Sequence, residues 1–254
     1  MAYSNPTIDR ILEHRTIREF TEEKVPEEML AAFLEVINRT ASSTGMQAFS
    51  VIRATDPKVR RDIAQVCGQE YVARAPELFI FIVDAHRNAR IAQEQGSEAK
   101  ARRGMDRFFQ GCMDAVLAAQ NLTTAVESAG LGAVFLGSIL NDAEAIVRIL
   151  KLPELTFPVL GVGFGRPNQD PMKKPRMPIA LKLFENEYQD RDAWLPAIAE
   201  YDKEMETYYD LRERGKRSDS FSGQVARYLD NLQAKRAKML RVARAQGFDL
   251  GLDD

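Results

Sequence analysis

The sequence predicts a mixed helix-and-strand fold, because short buried strands alternate with amphipathic helices along most of its length. Residues 78–83 and 157–164 are β-branched or aromatic runs of strand length, bounded by Gly, Pro or Asp. Leu30, Phe33, Leu34 and Ile37 recur at helical spacing, as do Val59, Ile63 and Val66. With 45% hydrophobic residues in 254, the chain can also supply a substantial core. Taken alone, the alternation suggests a parallel sheet.

The elements follow in order. Ile8, Ile11 and Leu12 mark one side of a first amphipathic segment and are expected to face the core. Directly after it, His14-Arg15-Thr16-Ile17-Arg18-Glu19-Phe20 sets one imidazole and two guanidiniums within five residues. Such a group is either a solvated basic face or an anion site; planar guanidinium donors match phosphate oxygens pairwise. Pro26 opens the second helix, and residues 49–54 read as a strand. Asp56 caps a helix whose first residue is Pro57. Residues 78–83 form a buried strand.

Residues 107–129 make the main core helix, with Phe109, Met113, Val116, Leu117, Leu122 and Val126 on a broad apolar surface that ends at Gly130 and Gly132. Strands follow at 133–139 and 157–164. In Lys173-Lys174-Pro175-Arg176-Met177-Pro178 the prolines exclude a helix, so Lys174 and Arg176 sit on an extended loop and point the same way. This second basic hook would join the first in a cup that only an anion makes stable. After Tyr188 the chain turns polar and helical around Trp194, Tyr201, Tyr208 and Tyr209, breaks at 215–223, and resumes as a basic helix over about 224–246. The domain reading is a core of residues 1–188 followed by a helical extension, 189–254, packed on it. The final aspartates are expected to fray.

Composition excludes several classes. Thirty-five basic against 37 acidic side chains leave a net charge of −2, which holds neither nucleic acid nor an anionic membrane. The longest apolar run, 78–83, is far too short to span a bilayer. The N-terminus lacks the basic start and apolar stretch of a signal peptide, so the cytoplasm is the expected compartment. Cys67 and Cys112 read as packed thiols. His14 and His86 are the only histidines, and no metal-ligand spacing or GxSxG elbow occurs, so neither a metal nor a protein nucleophile is expected. Gly161-Val162-Gly163-Phe164-Gly165-Arg166 has Arg where a dinucleotide fingerprint needs its last glycine, and these glycines read as points of close strand packing.

Five segments in order give a more specific reading. HRTIREF, Ser42-Ser43-Thr44-Gly45-Met46-Gln47, Gly68-Gln69-Glu70-Tyr71, the run from Gly130 through Phe135-Leu136-Gly137-Ser138, and Lys174-Pro175-Arg176 resemble the nitroreductase superfamily. The NADPH-dependent oxygen-insensitive nitroreductase and flavin reductase branch is the most similar. The resemblance implies an α+β fold with a central, mainly antiparallel sheet flanked by helices, assembled as an intertwined homodimer, and so overrules the parallel sheet.

It also implies FMN as cofactor and NADPH as donor, with hydride passing to flavin N5 and two electrons then passing to a nitroaromatic, quinone or free flavin in ping-pong order. Flavin N5 would carry the chemistry, with no catalytic side chain. His14, Arg15, Thr16 and Arg176 would hold the phosphate and ribityl chain, while Arg18 and Lys174 would lie near N1 and O2. Gln69 would read the polar edge of the ring. The backbone of Phe135, Leu136, Gly137 and Ser138 would pass beside it, and Ser42, Ser43, Thr44, Met46 and Gln47 would cover it from the partner subunit. Arg212, Arg214, Lys216 and Arg217 are either a solvated loop or the site of the NADPH 2′-phosphate. A flavin-binding protein with a sensing or storage role is the alternative function.

Overall fold

The computed structural model describes residues 3–210, 216–249 and 251, and the chain divides into two compact units. One comprises residues 1–169 together with 233–254, the other residues 170–232.

The first unit opens with α1 (Pro6–Leu12), whose N-cap Asn5 accepts from the backbone N–H groups of Thr7 and Ile8. It continues through α2 (Glu27–Asn38), β1 (Phe49–Arg53), α3 (Pro57–Cys67), α4 (Tyr71–Arg74), β2 (Glu77–Asp84), α5 (Ala85–Glu94) and the 24-residue α6 (Met105–Ser128). Then come β3 (Gly132–Leu136), a 3-10 helix at Gly137–Asp142, α7 (Ala143–Ile149) and β4 (Thr156–Gly165). Asp56 caps α3 by accepting from Lys58 N–H, with Pro57 at the first helical position.

The sheet runs β1-β2-β4-β3, and every pairing is antiparallel. β2 and β3 do run in the same direction, since both oppose β4, but β4 inserts between them. Strand-helix alternation therefore produced no parallel neighbours.

All eight residues of β2 are buried, so the pleat sorts them by period two. Phe79 and Phe81 pack with α2 and α6 residues such as Phe33, Ala115 and Leu122, while Leu78, Ile80 and Ile82 pack with Ile63, Val134 and Ile146 on the opposite face. Phe164 meets Phe79 and Phe33 edge-on at 5.3 and 5.9 Å between ring centroids. The glycines of β4 serve this packing, as the sequence suggested: a Cβ on Gly161 would come 3.1 Å from Ile80 Cδ1, and one on Gly165 would strike Pro76. In α6, a Cβ at Gly111 would lie 2.6 Å from the Ala48 carbonyl oxygen, so glycine lets this helix approach the sheet.

The second unit holds α8 (Leu195–Thr207), the short pair β5 (Tyr209–Asp210) and β6 (Lys216–Arg217), and α9 (Phe221–Asp230). Asp202 ties α8 to α9 by accepting from the Ser222 N–H at 2.9 Å and its hydroxyl at 2.6 Å. The Tyr201 and Phe221 rings pack 5.2 Å apart.

Several expectations are corrected. Ile11 and Leu12 are 51% and 68% exposed, and α1 buries no residue. α6 buries Ala115, Ala118, Leu122 and Val126, yet Phe109, Met113, Val116 and Leu117 lie on its exposed face. The 133–139 strand stops at Leu136, where the backbone turns into the 3-10 helix. The helix expected over 224–246 is broken: Asn231 is extended, and α10 (Met239–Ala245) belongs to the first unit, where Ala243 and Phe248 are buried against Phe108 and Phe157. The two compact units are bounded in sequence at 169/170 and 232/233. The C-terminal aspartates lie outside the described residues.

Candidate functional site

The HRTIR segment docks on the outer edge of β3. Thr16 bridges Ala133 in parallel, the Ile17 N–H donates to the Ala133 carbonyl at 2.9 Å, and Ile17 is buried. Gly132 makes this possible, because a Cβ there would collide with Ile17. On either side of the anchored Thr16-Ile17 pair sit the basic groups. His14 Nδ1 lies 2.6 Å from Glu127 Oε1, and that carboxylate is 10% exposed, so the imidazole is held in one orientation from α6. Arg15, Glu127, Gly132 and Pro167 share a cavity of about 300 Å³. The Arg18 Nε–H is buried and has no hydrogen-bond partner among the described residues. A buried guanidinium donor left without an acceptor is costly, and water or an acceptor from outside the chain would complete it.

A second group gathers where α3 ends. Gly68 caps that helix at φ +63°, a left-handed conformation that glycine adopts without strain, and turns Gln69 out of it. Gln69 Oε1 accepts from the Tyr71 hydroxyl at 3.0 Å and from Ser138 Oγ at 2.9 Å. Ser138 follows Gly137, whose carbonyl accepts from Arg236 Nη1 at 3.1 Å; the same nitrogen donates to Asn141 Oδ1 at 3.2 Å. Among the described residues nothing requires glycine at 137, since an added Cβ would meet only the tip of Arg236, at 4.0 Å. Phe135 is 38% exposed, whereas Leu136 is buried.

The third group is the loop around the 3-10 turn Ser43–Gly45, which carries Ser42, Ser43, Thr44, Met46 and Gln47. It is pinned by Asp114 of α6, 1% exposed, which accepts from the Ser43 and Ala48 N–H groups at 2.9 Å each. Asn88 holds the Met46 carbonyl and Arg87 the Gln47 carbonyl. Thr44 and Gln47 sit at φ +51° and +48°, so several contacts over-determine a strained turn. No hydrogen bond joins this loop to the Gln69–Ser138 pair among the described residues.

Lys174 and Arg176 belong to the second unit. Lys174 Nζ lies 6.0 Å from the Tyr208 ring centroid, and Arg176 Nη1 donates to the Lys174 carbonyl at 2.9 Å. Lys216 and Arg217 form β6, paired with β5, while Arg212 and Arg214 lie outside the described residues.

Neither cysteine is a poised nucleophile. Burial pushes the Cys67 thiol up, and that of Cys112 up to about 11. No cluster of three or more His, Cys, Asp or Glu residues able to hold a metal occurs among the described residues, and no helix among them is long and apolar enough to cross a membrane. The first unit thus offers fixed cations, a fixed amide and an exposed backbone turn, which suit the binding of an anion with a planar polar part. Asp114, Glu127 and Arg236 escaped the sequence reading. A lone carboxylate within the apolar stretch of α6 was the available signal for the first two; Arg236 left none.

Residues 11–166 match the family model described as Nitroreductase family, and residues 174–251 match that of the Nitroreductase family, C-terminal domain. An oxygen-insensitive NADPH nitroreductase of Salmonella typhimurium is 35% identical over 246 residues, covering 96% of this chain and 98% of the relative. An FMN reductase (NADPH) of Bacillus subtilis is 32% identical, covering 96% and 99%. The structure of the NADPH:FMN oxidoreductase from Vibrio harveyi complexed with NAD+ superposes with a TM-score of 0.85 at 32% identity, covering 96% of this chain and 99% of that one. Fold, motif order and full-length similarity agree: the chain belongs to the nitroreductase family.

Proposed function

We propose that the protein is an FMN-dependent oxidoreductase that carries two electrons from NADPH to nitroaromatics, quinones or free flavin. The observation that carries this reading is Arg18, whose buried Nε–H lacks an acceptor among the described residues, beside a histidine, a second arginine and a hydroxyl on one anchored segment. Gly137 supports it, being a glycine that packing among the described residues does not need. Bound FMN supplies the redox chemistry, accepting hydride and passing on an electron pair. The chain's residues bind and orient: His14, Arg15 and Thr16 take the phosphate and ribityl chain, Arg18 offsets negative charge on the ring, and Gln69, Phe135, Leu136, Gly137 and Ser138 border it. The Lys174-Pro175-Arg176 motif assigns Lys174 and Arg176 to the same cofactor by resemblance.

Relatives along the whole chain are named for NADPH-driven reduction, which disfavours a sensing or storage role. A homodimer accounts for the exposed apolar face of α6 and for Ile11 and Leu12, and lets the 42–47 loop act on the partner's flavin. Two free thiols suit the cytoplasm.

The test is kinetic. Purified protein is expected to carry or take up FMN, lose its yellow absorbance on anaerobic addition of NADPH, and give parallel double-reciprocal lines with NADPH and a quinone, because one site serves both in turn. Intersecting lines would exclude the shared site.

Donor choice is a separate expectation. If Arg212, Arg214, Lys216 and Arg217 hold the 2′-phosphate, replacing all four by Ala raises the KM for NADPH at least roughly tenfold and leaves that for NADH nearly unchanged, since the phosphate is the only difference between the donors. Equal losses for both donors would indicate disturbed packing.

A further inference from the structure

We propose that Tyr71 and Ser138 are positioning residues that hold the Gln69 amide with its NH2 group turned outward, as a fixed hydrogen-bond donor to the carbonyl edge of the bound ring. The inference rests on the FMN reading and adds to it the device that sets how firmly reduced flavin is held relative to oxidised flavin.

Gln69 Oε1 receives two hydrogen bonds, from the Tyr71 hydroxyl at 3.0 Å and Ser138 Oγ at 2.9 Å, and so uses both of its lone pairs. The two hydrogens on Nε2 have no acceptor among the described residues, while the side chain is only half-buried. An amide in this state presents donors to whatever adjoins it.

The direction is set by the two hydroxyls, which both donate to Oε1. With the amide turned over, Nε2 would take their place as donor to both oxygens and the carbonyl would be presented instead of the NH2 group.

Two-electron reduction raises the negative charge on the carbonyl-bearing ring, so a donor already in place is worth more after reduction than before. The last torsion of a glutamine is broad and roughly two-fold. Without Tyr71 and Ser138 the amide turns freely, and the donor is presented only part of the time. Neither residue needs to touch the ring for this effect.

The experiment measures the dissociation constants of oxidised and reduced FMN, and the midpoint potential, in wild type and in Tyr71→Phe, Ser138→Ala, the double variant and Gln69→Leu. The double variant is expected to lose about tenfold in affinity for reduced relative to oxidised FMN, a potential about 30 mV lower. Gln69→Leu should lose at least as much. Ser138→Thr, which keeps the hydroxyl, should retain the wild-type potential. If the double variant does not fold, the two single variants carry the test, each shifting in the same direction. Unchanged ratios in Tyr71→Phe and Ser138→Ala, in a protein that binds FMN, overturn the inference and leave the flavin reading intact. A wild-type chain that takes up no FMN overturns both.

Discussion

Asp114→Ala is expected to lower stability by about 2–5 kcal/mol and to release the 42–48 loop. The carboxyl group accepts from two backbone N–H groups, those of Ser43 and Ala48, at 2.9 Å each, and is 1% exposed. Removing it leaves two donors without partners, at about 1–3 kcal/mol each where water cannot reach them. The turn cannot readily find substitutes, because Thr44 and Gln47 are already held at positive φ. Denaturant unfolding reads the loss as a lower midpoint at unchanged slope. Asp114→Asn keeps one acceptor and should lose about half as much. If the Ala variant unfolds at the wild-type midpoint, Asp114 does not pin this loop. The functional consequence would follow from the same contact, since the loop carries Ser42, Ser43, Thr44, Met46 and Gln47, the residues assigned to cover the flavin. FMN affinity should fall in Asp114→Ala even under conditions where the fold persists.

This buried carboxylate also shows where sequence reasoning runs out. Local signals were legible: Asp56-Pro57 started α3, Gly68 ended it, and the apolar run at 78–83 formed the most buried strand. Strand direction was not legible, because period-two and helical patterns say what an element is and not which neighbour it takes. The pattern of α6 was equally silent about which of its two apolar faces meets the core. Tertiary packing gave one to Leu122 and Val126 and left Phe109 and Met113 in the open. The site's supports were hidden for a related reason. Asp114 binds Ser43 at a separation of 71 residues, Glu127 binds His14 at 113, and Arg236 binds Gly137 at 99. No local pattern encodes such pairs, whereas the groups they support, HRTIR and Gly137-Ser138, are contiguous and could be read directly.

Arg15→Ala is expected to weaken FMN binding by about 2–4 kcal/mol, roughly 30- to 1,000-fold, because it removes forked, charge-assisted contacts to the phosphate. Arg176→Ala should lose a similar amount by the same logic. Flavin titration of the apoprotein measures both, and Arg15→Lys separates the two parts of the interaction. A lysine keeps the charge but not the planar pair of donors, so an intermediate loss would mean that geometry as well as charge holds the anion. Arg10 supplies the control for the general field, since it lines the same cavity as Arg15 but lies on exposed α1. Arg10→Ala should cost less than about 0.5 kcal/mol if the phosphate is bound by contact, screening having removed most of the longer-range attraction. Equal losses from Arg10 and Arg15 would instead make the site a diffuse basic surface, and unchanged affinity in both Arg15→Ala and Arg176→Ala would remove the phosphate from this segment altogether. The anchoring of the segment makes the first outcome the expected one: Ile17 is buried and bonded to Ala133, so the arginines on either side of Thr16-Ile17 are carried by a fixed backbone and not by a mobile loop.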